Sequence, residues 1–348
     1  GRPFAIDGHD VVANLSVGIA IGSARYERAA DLLRDADTAV YRAKRAGKHQ
    51  TAVFDSEMHR EARKRLEVEA DIREAVGNGQ ILLHYQPVVS LTNGNIRGFE
   101  ALARLVHPLH GIVEPAEFVA VAEETGLIIP MGFQIIRDAC RQVKMWRTRF
   151  ADHPDYRNLR VAVNLSARQL SLASLVDQID AITAEFELEH DALELEITES
   201  VVMEQGDMAI RTLSRLGERG YLLALDDFGT GYSSLSHLHQ VPVNFIKIDQ
   251  SFVRKLEGRD RSFSATVKAI IDLAHNCGLR VIGEGVETLN HLVQLQALDC
   301  DNAQGFWFSH PVAPAAAERL LVDNLGNSLW RKRVEELARK GTAALTAV

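Results

Sequence analysis

Short apolar runs in this chain repeatedly end on a carboxylate or an amide. Glu100 follows Gly98-Phe99, Asn164 ends Val161-Ala162-Val163, and Glu196 and Glu199 close the run that starts at Leu193. Asp226 and Asp227 end Leu222–Leu225, Lys247 and Asp249 lie in Phe245–Asp249, Glu284 and Glu287 follow Val281-Ile282-Gly283, and Gln304 opens the run through Phe308. A lone acid in such a place is an ordinary exposed charge, but acids or amides on six of eight runs imply a shared site. Two carboxylates about 5 Å apart repel by roughly 3 kcal/mol at an effective dielectric near 20, so several in one mouth demand protons or cations. The donors are carboxylate and amide oxygens without His or Cys, a hard set that suits Mg²⁺ or Mn²⁺ rather than Zn²⁺. The doublet Asp226-Asp227 suits a two-metal site with one bridging acid, the arrangement that activates a water and clamps a phosphoryl oxygen. Lys247 is placed to orient that water or to neutralise developing charge. Two chemistries stay open on these residues alone: metal-assisted phosphodiester hydrolysis, and an enolase-like site with a Lys base. Arg104, four residues after Glu100, suits a phosphate and favours the first.

The elements that would position these residues follow from periodicity. Strands are expected at Leu82–Leu91 and Ile96–Leu105, joined by Asn93-Gly94, a strong hairpin signal that makes the pair antiparallel. Six more are expected at Leu159–Leu165, Leu193–Thr198, Tyr221–Leu225, Asn244–Ile248, Arg280–Gly283 and Gly305–Phe308. Helical spacing occupies Arg168–Phe186, Asp207–Arg219, Ser262–Cys277 and Leu289–Leu298. Eight strands in β/α alternation predict an α/β fold, a modified TIM (β/α)8 barrel with an antiparallel first strand, whose strand ends converge on one mouth. An open doubly wound sheet is the alternative architecture.

The chain has 348 residues, and its net charge of −8 argues against a nucleic-acid polymer as partner. Its three cysteines, Cys140, Cys277 and Cys300, are too few and too scattered for a disulfide scaffold, and suit a reducing cytoplasm. No run approaches the roughly 18 apolar residues of a membrane span. We expect four segments: a small α/β fragment over 1–55, a charged linker helix within 56–79 (Ser56–Val76), the barrel over 80–325, and an amphipathic helix and tail over 326–348. In the fragment, a β-rich run Val11–Ala20 precedes a helix near Ala29–Ala46 and a strand Thr51–Phe54. The first residue is Gly1, so a longer parent protein is expected, with any membrane tether in the region before it.

The motifs Tyr85-Gln86-Pro87, Gly98-Phe99-Glu100-Ala101-Leu102-Ala103-Arg104, His107-Pro108, Asn164-Leu165-Ser166 and Glu196-Ile197-Thr198-Glu199 stand in order. So do Asp226-Asp227-Phe228-Gly229-Thr230-Gly231, Ile246-Lys247-Ile248-Asp249, Glu284-Gly285-Val286-Glu287 and Gln304-Gly305. Over residues 80 to 325 the chain thus resembles the EAL-domain family of cyclic di-GMP phosphodiesterases. The resemblance implies hydrolysis of cyclic di-GMP to linear pGpG with two Mg²⁺ or Mn²⁺ ions per site. It implies one metal at Glu100, Asn164, Glu196 and Asp226, and a second at Asp226, Asp227 and Glu284. Glu284 is implied either as a ligand or as a general base, and Lys247 as the holder of the attacking water. Asp227 and Glu287 are implied in catalysis, with Gln304 in support. Gln86, Leu102, Arg104, Asp249 and Gln304 are implied as substrate contacts. Glu199 is implied as the anchor of a loop that begins at Phe228, with Ser233 as a possible helix cap, and a homodimer through the barrel is implied. His237 and His239, after that loop, read as surface or packing residues. Small departures from the family pattern are Leu105, Gly283 and Trp307. A catalytically silent cyclic di-GMP receptor is the alternative function.

The front segment, with Ser16–Ala20 and Asp35–Lys48, resembles the C-terminal half of a GGDEF diguanylate cyclase domain. The naming motif is absent, so no cyclase activity is expected, and Lys44 and Lys48 at phosphate-contacting positions are expected to be idle.

Overall fold

The computed structural model describes residues 4–6, 9–11, 15–23, 26–45, 49–230, 241–257, 261–327 and 330. Lys48, Ser233, His237, His239 and nearly all of the expected tail helix therefore lie outside the described residues. The chain divides into two compact units, residues 1–71 and 72–348.

In the first unit, Val17–Ile19 and Thr51–Val53 pair in parallel, and the helix Ala29–Arg45 connects them. Ala39 and Ala43 are the small buried residues of that helix. Phe4–Ile6 and His9–Val11 form a separate antiparallel pair. The single β-rich run expected from Val11 to Ala20 is thus divided between two sheets. The linker helix runs from Ser56 to Asn78 and stops before Gly79, whose φ of 66° ends it.

The second unit is a closed eight-stranded barrel. Its strands are β1 (Ile81–Ser90), β2 (Ile96–His107), β3 (Arg160–Asn164), β4 (Leu193–Thr198), β5 (Leu222–Phe228), β6 (Phe245–Ile248), β7 (Arg280–Gly283) and β8 (Asn302–Ala303). β1 is antiparallel to both β2 and β8, while neighbours from β2 to β8 are parallel, as the Asn93-Gly94 hairpin predicts. A short strand Gly111–Val113 extends the sheet beside β2.

Two expectations are corrected. The eighth strand is Asn302–Ala303, and Gly305–Phe308 is a turn in which the Trp307 and Phe308 amides bond back to Val286 and Gly305 carbonyls. Gln304 therefore ends the strand rather than opening it, which puts it at the same mouth as the other strand-end residues. The helix expected over Arg168–Phe186 is two helices, Ala167–Leu170 and Leu175–Glu185. The first begins in a reciprocal capping box between Ser166 and Gln169, and Ser171 bonds back to the Ala167 carbonyl, a local competition that ends the helix early.

Alternation along each strand separates two cores. Outward residues such as Phe99, Val161, Leu195 and Val281 meet the surrounding helices. The helix Ile128–Arg149 covers β1 and β2, with Trp146 packed 5.0 Å from Tyr85 and 4.8 Å from Phe99 between ring centres. Cys140 is fully buried in that layer. Inward residues form a thin apolar plug of Val88, Ala224, Phe245 and Ile282. Charged residues lie at both ends of this plug.

Candidate active site

Each of the eight strands brings one inward polar residue to the C-terminal mouth: Gln86, Glu100, Asn164, Glu196, Asp226, Lys247, Glu284 and Gln304. They share a parity with the apolar plug. Asp226, Lys247 and Glu284 stand two residues beyond Ala224, Phe245 and Ile282, and i,i+2 residues share one face of a strand.

Asp227 breaks that rule. Between Leu225–Ile246 and Phe228–Ile248, β5 uses one residue more than β6, a β-bulge. Asp227 there has φ of 54°, in the left-handed region that Asp tolerates better than most residues, and its amide donates to Asp226 Oδ1 at 2.9 Å. The extra residue and the left-handed turn let two chain neighbours face one place. Carboxylate oxygens of Asp226, Asp227 and Glu284 lie within 4.8 Å of one another.

Lys247 is the hub of the mouth. Its side chain is fully buried, and Nζ lies 2.8 Å from Glu284, 2.9 Å from Glu196, 3.4 Å from Asp226 and 3.5 Å from Glu100. Burial favours the neutral amine, but these carboxylates outweigh it and hold the ammonium well above the ordinary lysine range. Burial likewise raises Glu196 well above the carboxylate range despite Lys247, with Glu100 and Asp226 adding to the rise. Glu284 is pushed up to about 8, first by burial and, against the pull of Lys247, by Asp226 and Glu100. Glu100 goes the other way. Burial raises it, but Lys247 and hydrogen bonds from Gln304 and Asn164 win and lower it. Those bonds are 2.6 Å from Gln304 Nε2 and 2.9 Å from Asn164 Nδ2. Asp227 is raised by burial and then by Asp226 and Asp249.

This donor set fits divalent cations. Five carboxylates face one ammonium, which leaves an excess of four negative charges when all are ionised, the charge of two divalent ions. Every donor is an oxygen.

Beside the acids a cavity of about 350 Å³ opens to solvent. Gln86, Leu102, Arg104, Glu287 and Gln304 line it. Gln86 is held by Ser309 and Gln304, and Arg104 reaches Glu114 at 3.2 Å. Gly285, with φ of 67°, turns the chain so that Glu284 and Glu287 both reach the wall. Asp249 instead caps the helix Gln250–Lys255 by accepting from the Ser251 amide at 2.9 Å. Glu199 accepts from the Gly229 amide at 3.0 Å, at the start of the loop whose residues 231–240 lie outside the described residues. His107 accepts from the Leu109 and His110 amides within its own turn.

The wall also holds residues that spacing did not single out. Arg254 pairs with Glu287 at 2.8 Å, and Phe306 is 51% exposed with its ring stacked on His310. Arg254 sits in a helix after β6 and Phe306 in a turn after β8, so no local pattern joins them. Among the described residues no helix is long and apolar enough to cross a membrane.

Comparison with known proteins adds relatives to this geometry. The family described as EAL domain matches residues 69–311, and that described as diguanylate cyclase, GGDEF domain, matches residues 1–50. The chain is 38% identical over 321 residues to the bifunctional diguanylate cyclase/cyclic di-GMP phosphodiesterase MucR of Pseudomonas aeruginosa, covering 92% of this chain and 46% of that protein. It is 38% identical over 317 residues to the cyclic di-GMP phosphodiesterase PdeR of Escherichia coli, covering 91% of this chain and 47% of that protein. The chain thus spans less than half the length of these two relatives. A solved structure, the PaMucR phosphodiesterase in complex with c-di-GMP, superposes with a TM-score of 0.67 at 40% identity, covering 73% of this chain and all of that one.

Proposed function

This chain belongs to the EAL-domain family, with a GGDEF fragment at its N-terminus, and we propose that it hydrolyses cyclic di-GMP to linear pGpG. The observation that carries the proposal is the Asp226–Asp227–Glu284 cluster, tied to Lys247 beside a cavity large enough for a nucleotide.

Glu100, Asn164, Glu196 and Asp226 would hold one Mg²⁺ or Mn²⁺, and Asp226, Asp227 and Glu284 a second. Bound there, two such ions supply an activated water and a clamp on the phosphoryl oxygens. The chain's own residues do the rest. Arg104, buried in the cavity wall, offers a planar fork to a non-bridging phosphate oxygen. Phe306 offers an exposed ring on which a guanine can stack, worth about 1–3 kcal/mol. Lys247 holds four carboxylates in one geometry and presents its N–H groups to an oxygen placed among them. Glu284, high in pKa and 2.8 Å from that ammonium, is the acid best placed to hold a proton. Gln304 donates to Glu100 and to Gln86, which ties the two together. The chain lacks the motif that names the GGDEF domain, so no cyclase activity is proposed for it.

Product analysis with cyclic di-GMP tests this. Purified protein should form pGpG with Mg²⁺ or Mn²⁺, should stop in EDTA, and should lose turnover in Glu100→Ala while keeping its fold. Binding without product under all metal conditions would establish the receptor reading instead.

A further inference from the structure

The opposite end of the barrel carries its own charged site, which the proposed hydrolysis does not use. Arg160 opens β3, Arg280 opens β7, and Arg97 is the second residue of β2, so the three stand at the N-terminal floor. All three line a cavity of about 20 Å³, together with Glu194 and the underside of the apolar plug. That volume admits one water-sized atom. Arg160 is the inner member, 26% exposed at its side chain, with its guanidinium 5.3 Å from the centre of the Phe245 ring. Its Nη1 lies 3.7 Å from Glu194 Oε2, and its Nε is buried without a hydrogen-bond partner. Gly98 makes room for it, since a Cβ there would fall 2.7 Å from Arg160 Cγ.

The charges at the floor do not balance. Glu194 answers Arg160, and nearby Asp191 is paired with Arg147 at 3.2 Å. Among the described residues, the side chains of Arg97 and Arg280 have neither an ion-pair nor a hydrogen-bond partner, and both residues are exposed. Burial lowers the pKa of Arg160, Glu194 and Asp191 oppose that, and the Arg280 and Arg97 charges add smaller downward pushes. The floor therefore has two uncompensated guanidinium groups over a pit with an unpaired buried N–H. A doubly charged tetrahedral oxyanion answers all three features, with one oxygen in the pit and the rest facing the exposed forks. A carboxylate brings one charge, too few for two free arginines.

We propose that the barrel floor binds a phosphate monoester or inorganic phosphate dianion between Arg97, Arg160 and Arg280, as a site separate from the catalytic mouth. Calorimetric titration in EDTA at constant ionic strength tests it, with inorganic phosphate and ribose 5-phosphate as separate probes. The metal-free mouth carries excess negative charge and repels both. The unsubstituted chain should bind both probes. Arg97→Ala/Arg280→Ala should weaken binding by about tenfold or more while cyclic di-GMP turnover stays at the parent level. Arg104→Ala, a change in the mouth, should leave phosphate binding intact. No binding by the parent chain overturns the proposal, as does binding that survives the double substitution or is lost in Arg104→Ala. Binding of inorganic phosphate with exclusion of ribose 5-phosphate overturns the monoester and leaves the free dianion as the ligand.

Discussion

Lys247 Nζ lies 2.8 Å from Glu284 Oε1, inside a mouth where the same ammonium also contacts Glu196, Asp226 and Glu100. One buried cation thus holds together acids from four different strands. Removing it exposes their mutual repulsion.

Lys247→Met should therefore destabilise the metal-free protein by about 3–5 kcal/mol, the usual cost of an uncompensated buried charge. Urea unfolding in EDTA measures this. Mg²⁺ should restore more stability to the variant than to the parent chain, since the cation takes over part of the work of the ammonium. Turnover should fall by at least about 100-fold, on the scale of losing one electrostatic stabiliser. Unchanged stability in EDTA would mean that the lysine is not the clamp described here.

Glu284 and Glu196 set a pH window. Their folded pKa values are raised, to about 8 for Glu284, against an ordinary value of about 4.3. Between those limits the folded metal-free protein holds a proton that the unfolded chain has released. Its stability should then fall as pH rises from about 4.3 towards 8. Metal binding must displace that proton, so Mn²⁺ affinity should rise with pH and level off above about 8. Calorimetry at pH 7 in two buffers of different ionisation heat should show proton release, and Glu284→Gln should reduce it. Equal heats in both buffers for the parent chain would refute the window.

Asp227 shows stability set against function. Its φ of 54° suits glycine, and its carboxylate crowds Asp226. Asp227→Gly should raise the stability of the metal-free protein by about 0.5–1 kcal/mol and abolish turnover. Thermal unfolding and the pGpG assay report the two effects separately. A variant that is both less stable and fully active would contradict the assignment.

Gly283 packs under Leu295, and a Cβ there would fall 2.6 Å from Leu295 Cδ1. The resemblance makes Ala the common residue at this position, yet Gly283→Ala should cost about 1–3 kcal/mol here through overpacking. Leu295→Val in the same chain should recover part of that loss. A double-mutant cycle in urea measures the coupling, and additive effects would show that the contact is not the cause.

Ca²⁺ should inhibit turnover when it replaces Mg²⁺. It takes a larger, looser shell than octahedral Mg²⁺ and so holds the water and the phosphoryl oxygen less strictly in line. Progress curves with rising Ca²⁺ at fixed Mg²⁺ test this, and activation would point to a wider site.

Much of the fold was legible in one dimension. The Asn93-Gly94 turn foretold the antiparallel first pair, and the runs at Leu193–Thr198 and Arg280–Gly283 are strands over just those residues. The strand-end polar residues were legible too, because a strand's period of two puts Asp226, Lys247 and Glu284 on the face of the apolar plug. The eighth strand was misplaced by its composition. Phe306, Trp307 and Phe308 look like a strand, but their amides are taken by the turn around Val286 and Gly305.

Periodicity is local, so the amino-acid sequence by itself determined which residues face inward and which chemistry their oxygens favour. Distances between strands depend on barrel closure and stagger, which bring residues far apart in the chain to one mouth. Only the tertiary structure decided that Lys247 meets four acids, that a bulge turns Asp227 beside Asp226, and that Arg254 and Phe306 join the cavity wall. The arginine floor belongs with these. Arg97, Arg160 and Arg280 have no common spacing, and closing the sheet sets their positive charges around one pit.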